Sequence, residues 1–242
     1  MRKQPEQQAP PVQRLRIRYA KRGRLRFTSH RDFSRAFERA VFRARLPMAY
    51  SSGFHPHPRI SYAGAAPTGS ASEAEYVEIG LAAVVDPADI HAQLEEALPV
   101  GLDVLEVVES PGGSLADLLE ASRWWADIEA QPTEAAIAVD AFLAADSVLV
   151  ERMTKKGLRE LDCRVPVVSL VAGPAPDDSP AGARLDLVLR HAVPSIRPDD
   201  VLRGLAQVSA VALGPAPLLT RIAQGPLDEE TGEVRDPLHA RS

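Results

Sequence analysis

Leu15, Ile17 and Tyr19 alternate with Arg14, Arg16 and Arg18. Period-two alternation marks a strand with one apolar face and one basic face. A dozen residues later the period changes. Phe33, Ala36, Phe37, Ala40, Val41 and Ala44 follow at i, i+3, i+4, i+7, i+8 and i+11, the apolar stripe of one helix. A strand and a helix that are each apolar on one side must bury those sides together, which restricts the chain to layered α and β structure. Ser29 with Asp32 resembles a capping box with the shorter acid in place of Glu, and Leu46-Pro47 ends the helix. Beside the stripe, Arg31, Arg35, Arg39 and Arg43 recur every four residues. Each adjacent pair of them costs an isolated helix about 0.2–0.5 kcal/mol.

Charge is divided unevenly. Residues 1–60 hold fifteen of the 28 Lys and Arg but three of the 33 Asp and Glu. The net charge of -5 therefore hides a strongly basic head on an acidic body. Such a head points to a polyanion or an acidic protein as its partner. The apolar runs are short and interrupted, so no membrane-spanning helix is expected, and the start, MRKQPEQQAPP, lacks a signal-peptide core. The expected compartment is the cytoplasm. Cys163 is the only cysteine, which excludes a disulfide within the chain and a cluster ligated by its own thiols.

In order, the chain reads as a disordered leader over 1–12, a strand, the first helix, a punctuated loop at Ser51–Pro58 and a strand at Arg59–Gly64. A third strand carries Glu75 to Leu81, a helix opens at Asp86-Pro87, and Leu102–Val108 is a fourth strand. This β-α-β-β-α-β order predicts a ferredoxin-like unit over 13–110. After Pro111–Ser114 the order recurs over 115–222, from elements near Arg123–Glu129, Thr133–Ala144, Val148–Met153, Leu185–Leu189, Asp199–Ala206 and Leu218–Ile222. An insertion is expected between the middle strands at Lys155–Gly182, and 223–242 reads as a disordered tail. The fold class is thus α+β, with two ferredoxin-like units in tandem and an insertion in the second.

His55 and His57 point the same way in an extended segment, and His30 would complete a three-histidine metal site. The prolines after both histidines favour a shaped loop that contacts an anion or a partner, so neither metal nor cofactor is expected. Ser29-His30 with Tyr19, Lys21 or His55 supplies the residue types of a metal-independent ribonuclease, with His30 and His55 as catalytic candidates. Arg31, Arg35, Arg39, Arg43, Arg59, His55 and His57 form the candidate anion or nucleic-acid set. Glu73, Glu75 and Glu78 read as ion-pair partners facing the arginine row. Lys155-Lys156-Gly157-Leu158-Arg159 reads as a basic hairpin tip, and Cys163 as a small buried hydrophobe.

Phe27-Thr28-Ser29-His30 with Asp32, Leu46-Pro47, the run SGFHPHP over 52–58, and Gly69 with Glu75-Tyr76 together carry a resemblance. The chain resembles the bacterial radical-SAM-linked family of uncharacterised proteins, strongly over residues 14–110 and less so over 123–222. In that family the module is either the C-terminal part of a cobalamin-binding-domain radical SAM protein or a free-standing chain. The resemblance implies a stand-alone partner of a radical SAM enzyme and carries no catalytic residue over. The doubled element order is also similar to CRISPR repeat-processing endoribonucleases, at the level of fold alone. The expected function is a non-catalytic RNA-binding or adaptor module acting with a radical SAM enzyme in RNA modification or maturation. The alternatives are a metal-independent endoribonuclease and a protein–protein adaptor without nucleic acid.

Overall fold

The computed structural model describes residues 7–154 and 157–240. The described chain is α+β, with mostly antiparallel strands and four helices. It forms two compact units, one from residues up to Leu118 with the C-terminal end from Leu238, the other from Leu119–Pro237. No described helix is long and apolar enough to cross a membrane.

The first unit runs β1 (Gln13–Lys21), α1 (His30–Arg43), β2 (Ile60–Ala63), β3 (Ala71–Leu81), α2 (Pro87–Ala97) and β4 (Val104–Glu109). Its strands pair antiparallel in the order β4-β1-β3-β2. The alternation in β1 decides the layering. Leu15, Ile17 and Tyr19 join Val77, Ile79 and Leu81 of β3 on the face covered by Phe33, Phe37, Ala40 and Val41 of α1 and Ile90 and Leu94 of α2. Burying one such side chain contributes about 1.5–3 kcal/mol. Ser29 caps α1: its Oγ accepts from Asp32 N at 3.2 Å and donates to the Asp32 carboxylate at 2.7 Å. The shorter acid reaches the hydroxyl of Ser29, where a Glu would reach its backbone N–H. Asp86 caps α2 by accepting from Ala88 N at 2.9 Å.

The second unit runs β5 (Ala121–Ile128), α3 (Pro132–Ala144), β6 (Leu149–Thr154), β7 (Gly157–Asp162), β8 (Val167–Pro174), β9 (Ala183–Arg190), α4 (Pro198–Ser209) and β10 (Leu218–Gly225). Antiparallel pairing follows β10-β5-β9-β8, and β6 with β7 makes a separate hairpin. Two expectations change here. The insertion is the hairpin around 149–162, so the expected middle strand Val148–Met153 belongs to it. The sheet strand is β8, which lies inside the segment read as an insertion. The apolar run Val167, Val168, Leu170, Val171 makes that strand, which ends on the Gly173-Pro174 of GPAPDDSPAG, and only the APDDSPAG that follows is the connection to β9. The hairpin is clasped to α4 through the fully buried Asp200, which pairs with Arg152 of β6 and Arg203 of α4.

The segment after β10 is also not the loose tail expected. Leu227 bridges Val234, and Leu227 packs on Ala121 and Val188. The Asp228 carboxylate accepts from the backbone N–H of Glu230 and Thr231, which holds its pKa below the usual carboxylate range and closes the turn. Two apolar residues and one turn-forming acid are enough to fold an otherwise polar segment onto the unit. Residues 1–6 of the expected leader, and 241–242, lie outside the described residues.

Cys163 is fully buried, and burial pushes its thiol up to about 11, so it acts as an inert small hydrophobe. It sits against Gly204 of α4, where a Cβ would lie 2.5 Å from Cys163 Sγ and 3.0 Å from Val148 Cγ1. Helix propensity alone favours Ala over Gly by about 1 kcal/mol. Overpacking reverses the sign: Gly204→Ala is expected to destabilise by about 1–3 kcal/mol in urea denaturation. Adding Cys163→Ala removes the clashing sulfur and is expected to recover most of that loss; a strictly additive double variant would show that the contact is not the cause.

Candidate nucleic-acid interface

Helix α1 buries Phe33, Phe37, Ala40 and Val41, so its other faces are open. Arg31, Arg35, Arg39 and Arg43 are all exposed, and none has an ion pair or hydrogen bond among the described residues. At 1.5 Å per residue they stand about 6 Å apart, over about 18 Å of helix. Four residues turn a helix by slightly more than one turn, so the row drifts round α1 towards its C-terminal end. There, Arg35, Arg39, Arg43, Phe42 and Pro99 line a groove of about 840 Å³.

The arginines of β1 have a different fate. Arg16 has no exposed surface; its Nε donates to Glu78 at 3.2 Å and its terminal nitrogen donates to Gly112 O at 2.6 Å. Arg14 also pairs with Glu78, at 3.4 Å, and Arg18 pairs with Glu106, at 3.2 Å. Arg22 lies between Glu73 and Asp103, and its hydrogen bonds to Glu73 lead in raising its pKa. The acids Glu73 and Glu78, expected opposite the arginine row, therefore serve the arginines of β1 and the turn after it. Glu75 is buried and accepts from Ala66 N at 3.2 Å. Cross-strand register explains this, because Arg16 stands directly opposite Glu78.

His30 opens α1, exposed, with its ring edge-on to Tyr62 at 5.2 Å. His55 and His57 are exposed in a loop whose base is fastened by Ser51 N to His57 O at 2.8 Å and His57 N to Ser51 Oγ at 3.0 Å. Arg59 uses its Nε to hold the Tyr50 carbonyl at 3.2 Å, so part of its donor capacity shapes this loop. The other groups of the ribonuclease constellation are built into the structure. Tyr19 is 4% exposed and stacked on Phe33 at 4.4 Å. Lys21 is buried with its Nζ donating to Ala66 O at 3.3 Å. Burial pushes the Tyr62 phenol up to about 12, which unsuits it to proton transfer near neutrality.

Two residues outside the expected set belong to this surface. Phe42 is 82% exposed between the arginines. Arg45 lies just past the helix in the left-handed region, with φ of 55°, and lines a second groove with Phe42, Tyr50 and Pro58. The Leu46-Pro47 stop signals a helix end nearby but not the backbone conformation of Arg45. In the second unit, Trp124 is buried and Trp125 lies under Arg184 at 4.5 Å. Of the second basic patch, Lys155 and Lys156 lie outside the described residues, and Arg159 is exposed on β7.

The profile of a family described as "uncharacterized protein conserved in bacteria (DUF2344)" matches residues 14–198. No curated protein matches the chain.

The division between paired and open arginines is measurable. Arg16→Gln leaves Glu78 and two carbonyls without their buried partner and is expected to cost about 3 kcal/mol. Arg39→Gln is expected to lose no stability and to gain up to about 1 kcal/mol, from two like-charge pairs removed. Urea denaturation of the two variants checks this, and similar losses in both would place Arg39 in the structural set.

Proposed function

From a chain that belongs to this family of uncharacterised bacterial proteins, we propose a non-catalytic RNA-binding module that acts with a radical SAM enzyme in RNA modification or maturation, in the cytoplasm. The observation that carries RNA binding is the open row of Arg31, Arg35, Arg39 and Arg43, set against Arg14, Arg16 and Arg18 of β1, which all have acid partners. Four guanidiniums without ion-pair partners on one helix repel one another, and the two acids of that helix, Asp32 and Glu38, offset only part of their charge. A phosphate backbone offsets the rest, and it releases counterions in doing so. The radical SAM partnership rests on the sequence marks around Ser29, His55 and Glu75.

We further infer that each unit is a ferredoxin-like βαββαβ fold. The supporting feature is the shared strand order, β4-β1-β3-β2 in one and β10-β5-β9-β8 in the other, each with one helix between its first two sheet strands and one before its last. The endoribonuclease reading is weakened by the burial of Tyr19 and Lys21, which leaves His30 and His55 without the acid and cation assigned to them.

The test is the Arg35→Gln/Arg39→Gln variant of the full chain. Gln keeps helix propensity, and loss of the three like-charge pairs is expected to add about 0.6–1.5 kcal/mol of stability. RNA affinity is expected to fall most at low salt, with the log–log salt slope reduced by about 1.4 for a single-stranded RNA. No strand cleavage is expected in the absence of metal. A folded variant with unchanged affinity and slope would hand the surface to protein docking, and metal-free cleavage abolished by His30→Ala or His55→Ala would reinstate the ribonuclease.

A further inference from the structure

Exposed aromatic rings are distributed unevenly. Phe27, Phe42, Tyr50 and Phe54 are the exposed aromatic side chains among the described residues, and all lie within the basic segment. The large hydrophobic side chains exposed in the second unit are aliphatic or Met. Phe42 is the most exposed of the four, at 82%, and forms the wall between two grooves. On one side, in about 840 Å³, lie Arg35, Arg39 and Arg43. On the other, in about 640 Å³, lie Arg45 and Tyr50. Arg45 adds a second, independent observation. It occupies the helix-terminating position in the left-handed region, where Gly is the usual residue because a Cβ is strained there. Ala210 ends α4 in the same conformation, so what sets Arg45 apart is its side chain, which this turn places on the second groove beside Tyr50.

We propose that this double groove binds single-stranded RNA, with one base stacked on Phe42 and the flanking phosphates on Arg35, Arg39 and Arg43 at one side and Arg45 at the other. The inference rests on the phosphate-binding reading above and adds the strand state and the residue that senses it. An aromatic face accepts any base, but only a base that is free of its own stack. In a duplex each base is already sandwiched and paired, so Phe42 would face only the backbone. Glu38, the acid lining both grooves, repels phosphates and so keeps the backbone to the arginine sides, while offering an acceptor to base amino groups. A protein ligand would use the exposed Phe42 as an apolar anchor; the open guanidiniums on both sides favour the polyanion.

The experiment measures binding of the full chain to a labelled short oligouridylate, an oligoadenylate and a duplex RNA of the same length, by fluorescence anisotropy at low salt. The parent is expected to bind both single strands more tightly than the duplex. Phe42→Ala, at a site exposed enough to leave the melting temperature unchanged, is expected to weaken single-strand binding about 5- to 150-fold and duplex binding little. Phe42→Trp is expected to retain single-strand affinity. Arg45→Gly is expected to raise the melting temperature while weakening single-strand binding, a combination that a purely structural Arg45 would not give. Equal binding of single strand and duplex, unaffected by Phe42→Ala but weakened by Arg35→Gln/Arg39→Gln, would overturn the stacking site and leave phosphate binding standing. Absence of RNA binding by the parent would overturn both and make the groove a protein-docking surface.

Discussion

The first unit depends on Arg16. Its guanidinium is fully buried on the face of β1 opposite the helices, bonded to Glu78 of the neighbouring strand and to the carbonyls of Gly112 and Gly113. A buried charge is tolerable only when paired and hydrogen-bonded. Satisfying it draws in Glu78, which also holds Arg14 and Ser110, and so fixes the chain just beyond β4. The same pairing neutralises much of the basic charge of β1. The row on α1 keeps its charge, and the candidate interface therefore lies on the helix and not on the strand.

The second unit repeats the strand order with other chemistry. Its sheet sets Arg123 beside Asp186 and Asp127 beside Arg184, across the pair β5 and β9. Hydrogen bonds to these carboxylates raise the pKa of both arginines. Buried Asp200 is likewise matched by Arg152 and Arg203. These charges are spent on cross-strand and helix–hairpin ties. His191 illustrates the same economy with a neutral ring: its Nδ1 donates to Leu119 O at 2.7 Å, its Nε2 accepts from Ser122 Oγ at 3.0 Å, and burial lowers its pKa. The two units share a strand order, and in the first of them the arginine row of α1 is open to solvent.

The stop of α1 links fold to surface. After Ala44 the chain turns through Arg45 at positive φ, and Leu46 and Met48 return to the core. That turn brings Tyr50 and Pro58, at the base of the histidine loop, to the same groove as Phe42. The loop and the helix row, separate motifs along the chain, become walls of one surface.

The sequence by itself determined the layering of the first unit, because period two in Leu15–Tyr19 and period 3.6 in Phe33–Ala44 each admit one burial face. It also determined the arginine row, since residues four apart on a helix must share a side, and the capping of α1 by Ser29. Tertiary structure decided which arginines are available: Arg16 and Arg39 look alike along the chain, and only the strand opposite Arg16 supplies Glu78. It decided that Tyr19 and Lys21 are buried, the first stacked on Phe33 and the second bonded to the Ala66 carbonyl. It decided that Val167–Pro174 and not Leu149–Thr154 joins the main sheet of the second unit, because short apolar runs carry no record of their partner strand. It decided the place of Phe42 and Arg45 as well, since exposure and a left-handed turn arise from what the rest of the chain leaves uncovered.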